Sequence, residues 1–317
     1  MQLSGNHSEN KENPQWTSRS IGSSFQHKFF YALIRLGGGR LAHFFLYFVV
    51  SYYVLFRPSV RRKTESYLSH RFPDRKGFQR LLDSYRLSLE LGKVLINRAI
   101  VGILGPEKIS LSFDDMEKLL ELVDERKGII LLMAHIGCWQ VALPMLSALN
   151  IPANLVMQRE EGDIDKQYFE HRGMPCPYRI IDPRGYLGGS LEMMEVLKKG
   201  EALCIMGDRL FGGLKNAVEV RFLGEMALFP ISAMKLASAS GAPVAILIPS
   251  MTSPTQYRFD LAGVIRVPAG LGRSTDRFFP YINQFVAVLE DFVAEYPYQF
   301  FNFYDMWGTD QPRPVPD

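Results

Sequence analysis

Across residues 128–249, short and continuously apolar runs alternate with stretches of helical period, and few folds accommodate that alternation. The runs at 128–134, 153–157, 202–206 and 244–249 are too short for helices and read as strands; 140–149, 189–199 and 231–239 read as the helices between them. Strands with no polar alternation are covered on both faces, so the pattern predicts an α/β fold, a largely parallel sheet covered by helices. A last helix, at 279–296, carries Phe285, Val288, Leu289 and Phe292 on one face and precedes the aromatic tail FFNFYDMW.

Upstream the texture differs. Residues 1–24 are polar and carry too few hydrophobic side chains to order by themselves. Residues 41–56, LAHFFLYFVVSYYVLF, form an apolar run that falls short of the roughly 20 residues of a full span. They read as a tilted, re-entrant or interfacial helix, and Arg57, Arg61, Arg62 and Lys63 follow at once on the side that the positive-inside tendency assigns to the cytoplasm. A second helix, amphipathic over 78–104, ends at Gly105-Pro106. The chain thus divides into a polar N-terminus (1–24), a membrane-associated helical segment (25–106) and an α/β domain (107–317).

Charge follows the same division. Residues 1–106 hold 16 Lys and Arg against 6 Asp and Glu, the remainder 20 against 27, so a basic, aromatic-rich end precedes an acidic body. Such an end fits an anionic membrane surface, and the adjacent apolar run favours that partner over nucleic acid. The three cysteines, Cys138, Cys176 and Cys204, match neither a disulfide framework nor a zinc site and read as reduced cytoplasmic thiols. No G-x-S-x-G elbow, Walker A loop or G-x-G-x-x-G turn occurs, and His171 stands apart from any metal-ligand spacing, so neither a cofactor nor a metal is expected.

The most informative stretch is Met133-Ala134-His135-Ile136-Gly137-Cys138-Trp139-Gln140, where a buried strand delivers a histidine to the start of a helix. It resembles the HxxxxD/E motif of the lysophospholipid acyltransferase superfamily, most closely the lipid A late acyltransferase branch, with His135, Gly137 and Trp139 in matching type and spacing. GDRLFGG at 207–213, VRFLGEMALFPISAMKLASASGAPV at 220–244 and FNFYDMW at 301–307 resemble later blocks of the same branch, in the same order.

The resemblance implies an acyltransferase at the cytoplasmic face of the cell inner membrane, with an acyl-carrier protein or acyl-CoA donor and a membrane-lipid acceptor. That chemistry needs a base to take the acceptor's proton as the new bond forms, the role expected of His135. In the family a carboxylate five residues on orients the imidazole; here that position is Gln140, an amide without negative charge. Either Gln140 fixes the tautomer or Asp208 takes the role, since GDR follows a strand whose end belongs on the same sheet edge as His135. Asp208 also reads as a helix N-cap or a partner of Arg209. Arg159, Arg209 and Lys215 read as binders of donor or acceptor phosphate, or as solvated charges. Trp139 reads as a wall of the site, and Phe222 and Gly224 fall in the block that resembles an acceptor-binding segment. With Gln140 in the carboxylate position, the rival reading is a non-catalytic lipid-binding or scaffold homologue.

Overall fold

A computed structural model describes residues 24–158, 178–210, 216–303 and 305–308. Arg159, His171, Cys176, Lys215 and nearly all of the polar segment 1–24 lie outside them.

Three helices open the chain, α1 (Ser24–Phe56), α2 (Pro58–Arg71) and α3 (Phe78–Leu104). The apolar run at 41–56 is the C-terminal half of α1, which begins well before it and contains a non-helical residue at Gly38. Among the described residues one helix, over Gln26–Phe56, is long and apolar enough to cross a membrane. Its end is sharp because Pro58 starts the next helix and Arg61 Nη1 donates to the Val54 and Leu55 carbonyls at 2.9 and 3.2 Å, which the helix itself leaves without donors. Gly105, at φ 122°, ends α3 as its Gly-Pro pair predicts.

The body is a seven-stranded sheet in the order β1 (Ser110–Phe113), β9 (Gln256–Ile265), β8 (Val244–Ser253), β2 (Ile129–Met133), β5 (Ala202–Met206), β3 (Ala153–Val156), β4 (Tyr178–Ile181). From β8 to β4 every neighbouring pair is parallel, whereas β9 runs antiparallel to β8 and carries β1 with it, so the sheet is mostly parallel and mixed. All five residues of β2 are buried, and successive residues alternate between two cores. Ile130, Leu132, Leu203 and Ile205 pack with the first three helices and with α6 (Ser232–Ser240) and α7 (Phe279–Glu295). Ile129, Leu131, Met133 and Cys204 pack against α4 (Met116–Asp124) on the other face. Helix α5 (Ser190–Lys198) precedes β5.

Two local readings change. The helix expected at 140–149 is a 3₁₀ segment over Trp139–Leu149; Pro144 sits inside it and has no N–H for an α-helical bond. The block at 220–244 begins with an antiparallel hairpin, β6 (Ala217–Phe222) and β7 (Glu225–Pro230), closed by Leu223 and Gly224, both at positive φ as a two-residue primed turn requires.

Candidate active site

The parallel register of the central strands builds the site. Met133 of β2 pairs with Met206 of β5, so the residues two positions further along each strand, His135 and Asp208, emerge side by side at the same carboxyl edge. Gly207 extends the ladder by one bond, its N–H reaching the Met133 carbonyl at 2.8 Å. His135 Nδ1 then lies 2.8 Å from Asp208 Oδ1 and 3.1 Å from Oδ2, and the His135 backbone N–H donates to Oδ2 at 3.1 Å. A carboxylate accepts only, so the Nδ1 position carries the proton and the Nε2 lone pair is left for chemistry. The Asp208 side chain is 0% exposed and that of His135 is 23% exposed, which seals the acceptor and leaves the ring an open edge.

Electrostatics sharpen the pair. Burial and the nearby Arg209 cation hold the imidazole below its ordinary 6.5 against the opposing pull of Asp208, so the ring is neutral at neutral pH. Burial works to raise the Asp208 pKa, but His135, through charge and hydrogen bonds, together with Arg209 outweighs it, and the carboxyl stays ionised below its ordinary 3.8. Burial brings Arg209 down to about 10 despite Asp208, which leaves it cationic.

The aromatic C-terminal block clamps this edge. Phe300 forms an antiparallel bridge with Ile136, the Phe301 N–H donates to the His135 carbonyl at 2.6 Å, and the Gly137 N–H donates to the Gln299 carbonyl at 3.0 Å. Gln299 in turn grips the end of β8: its Oε1 accepts from the Met251 N–H and its Nε2 donates to the Met251 carbonyl, both at 2.8 Å. Arg209 donates from Nη2 to the Phe301 carbonyl at 2.9 Å and from Nε to Asn302 Oδ1 at 3.2 Å, while Asn302 Nδ2 donates to the Asp208 carbonyl at 2.8 Å. Gln299 and Asn302, both buried, were not among the residues singled out from the sequence. Asn302 belongs to the FNFYDMW block, but nothing local says that its amide reaches across to Asp208.

Of the sequence candidates, the structure brings together His135, Asp208 and Arg209. Gln140 stands aside: its Oε1 accepts from Cys138 Sγ at 3.8 Å, and the ring nitrogen it was expected to orient is bonded to Asp208. Asp208 is no helix N-cap; it serves His135. Arg209 is only 8% exposed and binds the C-terminal segment, not solvent. Trp139 is half-buried against the α4-side core. Phe222 is fully buried, stacked with Trp307 at 5.6 Å and edge-on to Phe300 at 5.9 Å, so it braces the segment that holds His135, while Gly224 forms an exposed turn.

Gly137 allows the clamp to close. Its φ is +46°, and a Cβ there would stand 2.1 Å from the Pro249 carbonyl oxygen, a backbone atom that cannot swing aside. Gly137→Ala is therefore expected to lower stability by more than the roughly 1–3 kcal/mol of positive-φ strain alone, read as a fall in the thermal unfolding midpoint. An unchanged midpoint would contradict the close approach.

A neutral imidazole backed by a buried carboxylate at the carboxyl edge of a parallel sheet is an arrangement able to accept a proton during group transfer. The chain matches the family model for bacterial lipid A biosynthesis acyltransferases over residues 20–309, and it belongs to that family. It is thus an acyltransferase of lipid metabolism. No curated protein matches it.

Proposed function

We propose that the protein moves a fatty acyl chain from the thioester of an acyl-carrier protein or of coenzyme A onto a hydroxyl or amine of a membrane lipid. The acceptor is a lipid A precursor-like glycolipid or a lysolipid, reached at the cytoplasmic face of the inner membrane, and His135 is the general base. The observation that carries this reading is the His135–Asp208 pair. His135 Nε2 takes the acceptor's proton as its oxygen or nitrogen attacks the thioester carbonyl. The C–S bond then breaks, and the departing thiolate recovers the proton from Nε2. Asp208 holds the tautomer and stabilises the transient imidazolium, so the charge that Gln140 cannot supply comes from a strand neighbour, and the transfer needs no covalent enzyme intermediate. A scaffold without catalysis has no use for such a pair.

The test is mass-spectrometric transfer of a labelled acyl chain from acyl-carrier protein and from coenzyme A into a total membrane-lipid extract. One acylated lipid class and one preferred donor are expected; no transfer from either donor would overturn the reading. The pH dependence has a definite sign. The base works when neutral, so kcat/KM for transfer to a hydroxyl rises with pH and levels off, with a midpoint below 6.5 because burial and Arg209 disfavour the imidazolium. A midpoint above 6.5 would contradict that environment.

A further inference from the structure

We propose that α1 does not cross the bilayer: it lies in the plane of one anionic leaflet, with its aromatic stripe in the lipid and its other side fixed to the body of the enzyme. The inference rests on the membrane-lipid acceptor proposed above and specifies how the enzyme meets it. Along the second half of α1 the buried residues are Ala42, Leu46, Val50 and Val54, all at most 7% exposed. Two positions after each, about 200° round the helix, come Phe44, Phe48, Tyr52 and Phe56, between 48% and 68% exposed. Leu41 and Leu55 widen the same stripe, so one side is a core face and the opposite side is apolar and exposed among the described residues.

A spanning helix must be free to meet lipid along its whole circumference, or meet other helices fit for lipid. This one is packed on α3, antiparallel: a Cβ at Gly39 would touch Ile100 Cδ1 at 2.6 Å, and one at Gly92 would touch Leu46 Cδ1 at 2.6 Å. Glu90 and Lys93 flank Gly92 on α3, so a spanning α1 would carry both to the depth of Leu46, inside the hydrocarbon. With α1 lying flat, α3 stays outside.

The charge pattern identifies the occupant. No Asp or Glu occurs in α1, while exposed Arg35 and Arg40 stand at the Gly38 kink and exposed Arg57, Arg62 and Lys63 follow its last turn. Cations bracketing an aromatic stripe match an anionic headgroup layer over acyl chains. A second copy of the same face would bring like charges together.

The experiment places spin labels on single cysteines at the exposed positions Leu36→Cys, Phe44→Cys, Phe48→Cys, Tyr52→Cys and Phe56→Cys in the full chain, with Cys176 replaced by serine. Immersion depth is read by electron paramagnetic resonance in phosphatidylcholine vesicles with and without phosphatidylglycerol. The expected result is a shallow, nearly constant depth, roughly 5–10 Å below the headgroups, and binding that weakens when phosphatidylglycerol is omitted or salt is added. A depth that peaks at the bilayer centre near Phe44 and Phe48 and falls away towards Phe56 would overturn it, as would labels that vesicles leave in water because another copy or the N-terminal residues cover the stripe. Acyl transfer on the same variants in detergent-dispersed lipid separates the two readings. Retained transfer with a centre-peaked profile defeats only the in-plane placement, and a shallow profile together with no transfer by the unlabelled parent protein supports the placement while defeating the acyltransferase mechanism.

Discussion

Replacing His135 with alanine is expected to lower kcat/KM for acyl transfer by about 10²–10⁴-fold, the range that a positioned general base contributes. Among the described residues no other imidazole bonds Asp208. The fold should persist, because the bonds that hold the His135 segment come from its backbone: the carbonyl to the Phe301 N–H, the N–H to Asp208, and Gly137 to Gln299. His135→Gln is the sharper companion variant. Its amide can still donate towards Asp208, which keeps the buried carboxylate from losing its side-chain donor, yet it cannot accept a proton at the Nε2 position. Both variants should lose activity together while circular dichroism stays that of the parent. Activity retained by either one would place the base elsewhere.

Asp208→Asn comes next in size, a loss of about 10²-fold or more, since an orienting carboxylate contributes both the tautomer and the charge that stabilises imidazolium. An amide in that place can turn its NH₂ group towards Nδ1, which leaves the ring proton on Nε2 and blocks the base. The loss of negative charge also shifts the acid limb of the pH profile further down, because Asp208 is the influence that raises the His135 pKa. Gln140→Ala should stay close to the parent enzyme, as the Gln140 side chain bonds Cys138 and not the ring. The reverse ranking, with Gln140 essential and Asp208 dispensable, would show that the motif position and not the strand neighbour orients the base.

The parts of this architecture that the sequence makes legible are those with short-range causes. β2 and β5 announce themselves as five-residue apolar runs, and the strand-end placement of His135 and Asp208 follows once both runs belong to one parallel sheet. Their matched register does not follow, because nothing in either run says which residue faces which. Long-range partners were equally hidden. Gln299 gripping Met251 and Asn302 reaching Asp208 join residues 48 and 94 positions apart, and a buried amide looks like any other polar residue until its partners are in place. The β8–β9 hairpin was not read from the sequence, although Tyr257, Phe259 and Leu261 alternate with Gln256, Arg258 and Asp260 as a half-exposed strand does; the alternation fades only after Leu261. α1 proved longer than its apolar run because its first half mixes Lys28, Arg35 and three consecutive glycines with buried Ile34, a pattern that hydropathy alone dilutes.

The most direct test of the central claim, that His135 and Asp208 form one proton-transfer unit, is kcat/KM for acyl transfer in the double variant His135→Ala/Asp208→Asn beside the two single variants. Residues that act as a unit are grossly non-additive. The double variant should therefore be no slower than His135→Ala alone, since an orienting group has nothing left to orient. Losses that multiply would contradict the account, because they would mean that Asp208 acts on the reaction by a route that does not pass through His135.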